Sequence, residues 1–117
     1  MEVALGESVE TDRGTVTVRS LDPVAEGTRG APSPETGFAV REIRFRSCRS
    51  GTEGPLVDLS AFSVRTSDDS TATAAGSALS ESSGQCTAGV VFVQVPEGAT
   101  PKDVEYAADP IGVWSLR

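Results

Sequence analysis

Valine, isoleucine and phenylalanine recur at alternate positions along much of this chain. No segment repeats apolar residues at helical spacing for three turns. A period of two is the mark of strands with one buried face. From Gly14 to Leu21, Val16 and Val18 share one parity, and Thr15, Thr17 and Arg19 share the other. From Gly37 to Cys48, Ala39, Ile43 and Phe45 form one set, and Val40, Glu42, Arg44, Arg46 and Cys48 form the other. Charged groups must keep their water, so the second set faces outward. Arg41 has the inward parity and marks a rim position or a bulge. The run between Gly84 and Gly98 is rich in valine. Pro96 cannot donate a ladder hydrogen bond, so the strand ends at Val95, and Gly98 lets the chain reverse. Counting back from Pro96 sends Val91, Val93 and Val95 to the core. Gln94, Phe92, Val90 and Cys86 then point outward.

Other segments carry weaker patterns. Val3 to Val9 reads as an edge strand interrupted by glycine. Val57 to Thr66 shifts its apolar parity midway, which predicts a bulge or a crossing between sheets. Thr71 to Leu79 is a weak edge strand in a stretch biased to Ser, Ala and Thr. Val104 to Ala107 and Ile111 to Leu116 complete the set. Asp22 to Thr36 holds three prolines and two glycines and reads as a long surface loop, and Arg49 to Pro55 as a glycine-rich turn. Seven or eight short strands at this spacing predict one all-β domain over residues 1–117, an antiparallel two-sheet sandwich of immunoglobulin-like type. With 117 residues the chain is long enough to bury a core of its own.

Charge narrows the partners. A net charge of −7 disfavours nucleic acid, which needs clustered cations, and suits a soluble monomer. No apolar run approaches the ~20 residues of a membrane span. Cys48 and Cys86 are the two cysteines. Joined, they point to an exported, mature domain, secreted or lipid-anchored. Two buried reduced thiols in a cytosolic protein are the alternative. A bridge would join neighbouring strands on the outside of one sheet, or lie at its rim, because both cysteines have outward parity. If the two face each other in an antiparallel pair, Arg44 lies opposite Val90 and Glu42 opposite Phe92.

That register makes Phe92, Val90, Val40, Glu42, Arg44 and Arg46 a candidate binding patch, with apolar side chains beneath arginine stems. The bland alternative is that long side chains simply cover exposed apolar atoms.

Catalytic candidates are sparse. The chain has no histidine, which excludes a Ser-His-Asp triad, a Cys-His pair and histidine metal ligands. Lys102, the single lysine, lies in a polar stretch with Pro101 and Asp103 that reads as a solvated turn, which is wrong for a general base. Paired carboxylates of a hydrolase remain a remote alternative. Asp68 and Asp69, aided by Asp58 or Asp109, have the hard oxygens for calcium, but the same sequence is a common turn. No cofactor and no metal centre are expected. Trp114 is expected in the core, with its indole N–H on a backbone acceptor; sugar stacking is the other option.

Four segments carry a family likeness: Thr15 to Val18, Phe38 to Phe45, Gly89 to Pro96, and Val113 to Leu116. Together they resemble the secreted and lipid-anchored bacterial immunoglobulin-like domains grouped with the mycobacterial immunoprotective extracellular antigen, a family of unknown function. The resemblance implies a sandwich fold and export, and supplies no catalytic residues. The chain departs from the antibody pattern, which places a tryptophan between the cysteines; Trp114 follows both. The functional expectation is a non-catalytic exported module that binds a protein or envelope component through a sheet face or loops. A structural accessory domain with no dedicated ligand is the alternative.

Overall fold

The computed structural model describes residues 1–12, 14–24, 28–49 and 57–116. Nine strands follow in chain order: β1 (Glu2–Ala4), β2 (Ser8–Thr11), β3 (Gly14–Pro23), β4 (Phe38–Arg49), β5 (Phe62–Thr66), β6 (Thr71–Ser83), β7 (Cys86–Pro96), β8 (Pro101–Tyr106) and β9 (Gly112–Ser115). The three prolines within them stand only at strand ends, where a missing N–H costs the ladder nothing: Pro23 and Pro96 close strands and Pro101 opens one. The expected all-β sandwich is present. One layer runs β2-β3-β4-β7-β6 and the other β5-β8-β9-β1, and β6 hydrogen-bonds into both.

That continuity corrects two sequence expectations. The crossing between sheets belongs to β6, whose Thr71–Thr73 pair with β5 before Ala74–Ser83 pair with β7. The parity shift in Val57 to Thr66 has a different cause: Leu59–Ala61 form a 3-10 turn capped by the Asp58 carboxylate, and the strand starts only at Phe62. The segment Val3 to Val9 also divides. β1 pairs in parallel with β9, while β2 pairs antiparallel with β3 in the other layer. Gly6, at φ +89°, turns the chain between them. The arrangement is therefore mixed and nearly closed rather than purely antiparallel. Lys102 and Asp103 belong to β8 rather than to a turn. The turn expected over Arg49 to Pro55 lies outside the described residues apart from Arg49.

Parity predicts the core well. Val16, Val18, Ile43, Phe45, Val91, Val93 and Val95 from the first layer meet Phe62, Val64, Val104, Tyr106 and Trp114 from the second. Phe45, Phe62 and Tyr106 stack in tilted contacts with centroids 5.1 and 4.7 Å apart, a favoured aromatic geometry. The Tyr106 hydroxyl accepts the Asp58 N–H at 3.1 Å, so the polar tip is satisfied.

Candidate functional site

β4 and β7 pair antiparallel from Phe38 opposite Pro96 to Cys48 opposite Cys86. The sulfurs of Cys48 and Cys86 are bonded to each other, on the outward side of the layer. The alternative of two reduced thiols falls away. Arg44 stands opposite Val90, and Glu42 opposite Phe92, as the facing-cysteine register requires.

The candidate patch nevertheless needs correction. Phe92 is 0% exposed and Val90 9%, so neither offers surface to a partner. Both point away from the sandwich interior, as parity demands, and Phe92 stands outside the main core cluster. What covers it is the proline-rich surface loop, whose described residues from 28 onward pass over the ring. A Cβ built on Gly76 would meet the Phe92 ring at 3.7 Å and Pro32 Cδ at 3.8 Å. One on Gly30 would meet the same ring at 3.8 Å. Gly30 holds φ +85°, a left-handed turn that carries the loop over the ring. Gln94 ties the loop down. Its Oε1 accepts the Glu35 N–H at 2.7 Å, and its Nε2 donates to the Ser33 carbonyl at 3.5 Å.

The remaining patch residues separate into two hollows. Val40 is half-buried and lines a cleft of about 670 Å³ between the loop and the start of β4, with Pro23, Val24, Pro32, Pro34 and Phe38. Glu97 brings the one charged side chain among the described residues of that lining. Arg44 and Arg46 are exposed and border a second hollow of about 330 Å³. Glu42 holds Arg44 in an ion pair at 3.3 Å.

The other candidates resolve into architecture. Asp68 Oδ1 accepts the Thr66 hydroxyl, the Ser70 hydroxyl at 2.8 Å and the Ser70 N–H at 3.1 Å. Asp69 adopts φ 65°, which aspartate tolerates, and its N–H returns to the Thr66 carbonyl at 3.0 Å. These contacts close the turn between β5 and β6. Among the described residues, no group of three His, Cys, Asp or Glu side chains could hold a metal. Asp58 caps the 3-10 turn, and the Asp109 N–H donates to Asp12. Asp103, the one buried carboxylate among the described residues, is gripped by Arg65 Nε at 3.1 Å and Nη2 at 2.9 Å. Glu105 meets the same guanidinium at 3.3 Å. This is a strand-to-strand clamp between β5 and β8, and its hydrogen bond to Asp103 raises the Arg65 pKa. Trp114 is fully buried, and its indole N–H donates to the Glu7 carbonyl at 2.8 Å, which rules out sugar stacking. No helix among the described residues is long and apolar enough to cross a membrane.

The turn yields a pH test. Hydrogen bonds from Thr66, then from the Ser70 hydroxyl and N–H, lower the Asp68 pKa from 3.8 to about 2. The folded state therefore favours the carboxylate. Its contribution is complete above 3.8 and is lost as pH falls towards about 2. Asp68→Asn should destabilise the protein at neutral pH, and the gap to wild type should close across that window. Denaturation midpoints along the acid limb measure it; a constant gap would remove the charge from the account.

No protein-family model matches the chain, and no curated protein does. Two solved structures share its fold over nearly the whole length. A secreted protein of Mycobacterium tuberculosis, MPT63, is 20% identical, with a TM-score of 0.64 over 98% of this chain and 96% of that one. An uncharacterized β-sandwich protein of Clostridium difficile 630 is 12% identical, with a TM-score of 0.62 over 99% of this chain and 93% of that one.

Proposed function

We propose that this chain is an exported, non-catalytic binding module that takes an apolar group of a protein or envelope partner into the cleft beneath the 28–34 loop. The observation that carries this is the cleft itself. At about 670 Å³ it falls within the range of ligand-binding clefts, and Pro23, Pro32 and Pro34 stand in its walls. Proline fixes its own φ, so walls rich in it resist collapse onto an empty space. The Gln94 contacts hold the roof in place before any partner arrives, which lowers the ordering cost of binding. Export is supported by the Cys48–Cys86 bond, since disulfides persist in oxidising compartments. The mycobacterial neighbour, itself described as secreted, is consistent with that setting.

The test uses an uncharged apolar fluorophore, N-phenyl-1-naphthylamine, titrated into the full chain. Saturable binding at one site is expected. Val40→Asp should weaken it by roughly tenfold or more, because an apolar ligand must then desolvate a carboxylate at that position. Ile111→Ser, which removes an exposed apolar residue outside the cleft, should leave it unchanged. A photo-crosslinker at position 40, applied to a cell-envelope fraction, should then join a discrete partner that the same group at position 111 does not. Equal fluorophore binding in both variants would return the chain to a scaffold without a dedicated ligand.

A further inference from the structure

Two β-bulges face each other across one transverse row of the first layer. Between Val18 and Ser20, β3 carries one residue more than β4, and that residue is Arg19. Between Leu79 and Glu81, β6 carries one residue more than β7, and that residue is Ser80. The row between them is Phe45 on β4 paired with Gly89 on β7. A bulge leaves its extra residue outside the ladder and re-aims the side chain. Arg19 and Ser80 line the same hollow of about 330 Å³, together with Arg44, Arg46, Ala88 and Gly89. Three arginines thus line a hollow to which β7 brings nothing longer than the Ala88 methyl.

The hollow is constructed by its glycine. A Cβ on Gly89 would lie 2.4 Å from the Ala78 carbonyl oxygen and 2.8 Å from Leu79 Cα. The β6 backbone can approach this closely, and bulge at Ser80, only over a residue without a side chain.

We propose that this hollow binds a phosphate-type oxyanion. Arginine presents a planar fork of N–H donors that matches the oxygens of phosphate two at a time. An anion bound among like charges relieves their mutual repulsion. In a chain with net charge −7 and ten cationic side chains, three arginines are the charged residues among the described lining of this hollow. Arg19 makes no ion pair among the described residues. Arg44 has Glu42 at 3.3 Å, but its side chain is 56% exposed and can turn to an incoming anion. The Ser80 hydroxyl adds a neutral donor on the opposite wall. The site shares no lining residue with the cleft beneath the loop, so it stands or falls independently of the apolar-partner proposal.

Inorganic phosphate and pyrophosphate are titrated into the full chain at constant ionic strength, followed by the arginine Nε–H resonances. Saturable shifts of Arg19, Arg44 and Arg46 are expected, tighter for pyrophosphate. Arg19→Ala should weaken binding roughly tenfold, the worth of one charge-assisted contact. Ser80→Asp should abolish it by placing a carboxylate in the hollow while every arginine remains. Glu42→Gln should tighten it by releasing Arg44, and Lys102→Ala should change nothing. Flotation with phosphatidylglycerol vesicles, but not with phosphatidylcholine alone, would assign the oxyanion to a lipid headgroup. Saturation by pyrophosphate without flotation would assign it to a soluble phosphate. Linear, unsaturable shifts, or equal affinity in wild type, Arg19→Ala and Ser80→Asp, overturn the proposal.

Discussion

Replacing both Cys48 and Cys86 with serine is expected to lower the unfolding free energy by about 4 kcal/mol, the chain-entropy value for a closed loop of this length. The two residues are 38 apart in sequence, and the segment they close contains all of β5 and β6. Freed, that segment gains conformational freedom mainly in the unfolded chain. The native register should survive, because ten further pairs from Ser47–Thr87 to Phe38–Pro96 still hold β4 on β7. The double variant should therefore keep its strand signature and show a lower denaturation midpoint. Wild type under reductant should match it. A loss below ~1 kcal/mol would mean that the reduced, unfolded chain already keeps β4 near β7.

Truncating Trp114 to alanine should cost about 3–5 kcal/mol, the range for large aromatic side chains in a core. The upper end is expected here, because the surroundings cannot close the void. β9 is held between β1 and β8, and the ring fills the space where a Cβ on Gly112 would come within 2.7 Å of its Cη2. The same side chain ties the first segment to the last, through its N–H on the Glu7 carbonyl. Trp114→Phe separates these effects. It retains most of the volume and loses the hydrogen bond, so a loss nearer ~1 kcal/mol is expected. Equal losses in the two variants would show that the hydrogen bond, and not the volume, carries the stability. Urea titration of both variants against wild type gives the comparison.

The two hollows give the face between the loop and the bulges an internal division. Glu42 stands on β4 between the residues of the cleft and those of the arginine hollow, bound to Arg44 at 3.3 Å. One face therefore offers two chemistries side by side, a cleft lined by prolines, Phe38 and Val40 with Glu97 among them, and a hollow lined by three arginines. Their order along β4 follows the strand: Phe38 and Val40 at its start, Arg44 and Arg46 further on.

Much of this was legible in the chain itself. Alternation in Gly14–Leu21, Gly37–Cys48 and Gly84–Gly98 is a local property, set by the pleat, and it placed Val16, Val18, Ile43, Phe45, Val91, Val93 and Val95 inside. The cysteine positions gave the β4–β7 register on the condition that they face each other, because one pair in an unbulged antiparallel ladder determines every other pair. The absence of histidine excluded whole classes of catalysis without any structure. What only the tertiary structure decided is how much of the outward face stays outward. Parity tells which side of a sheet a residue takes; it says nothing about what lies over that side. Phe92 has the outward parity and is fully buried, because a loop more than fifty positions away in sequence folds across it and is tied to Gln94. The two bulges are decided the same way. An unpaired Arg19 or Ser80 exists only relative to the partner strand it fails to match, and no single segment carries that information.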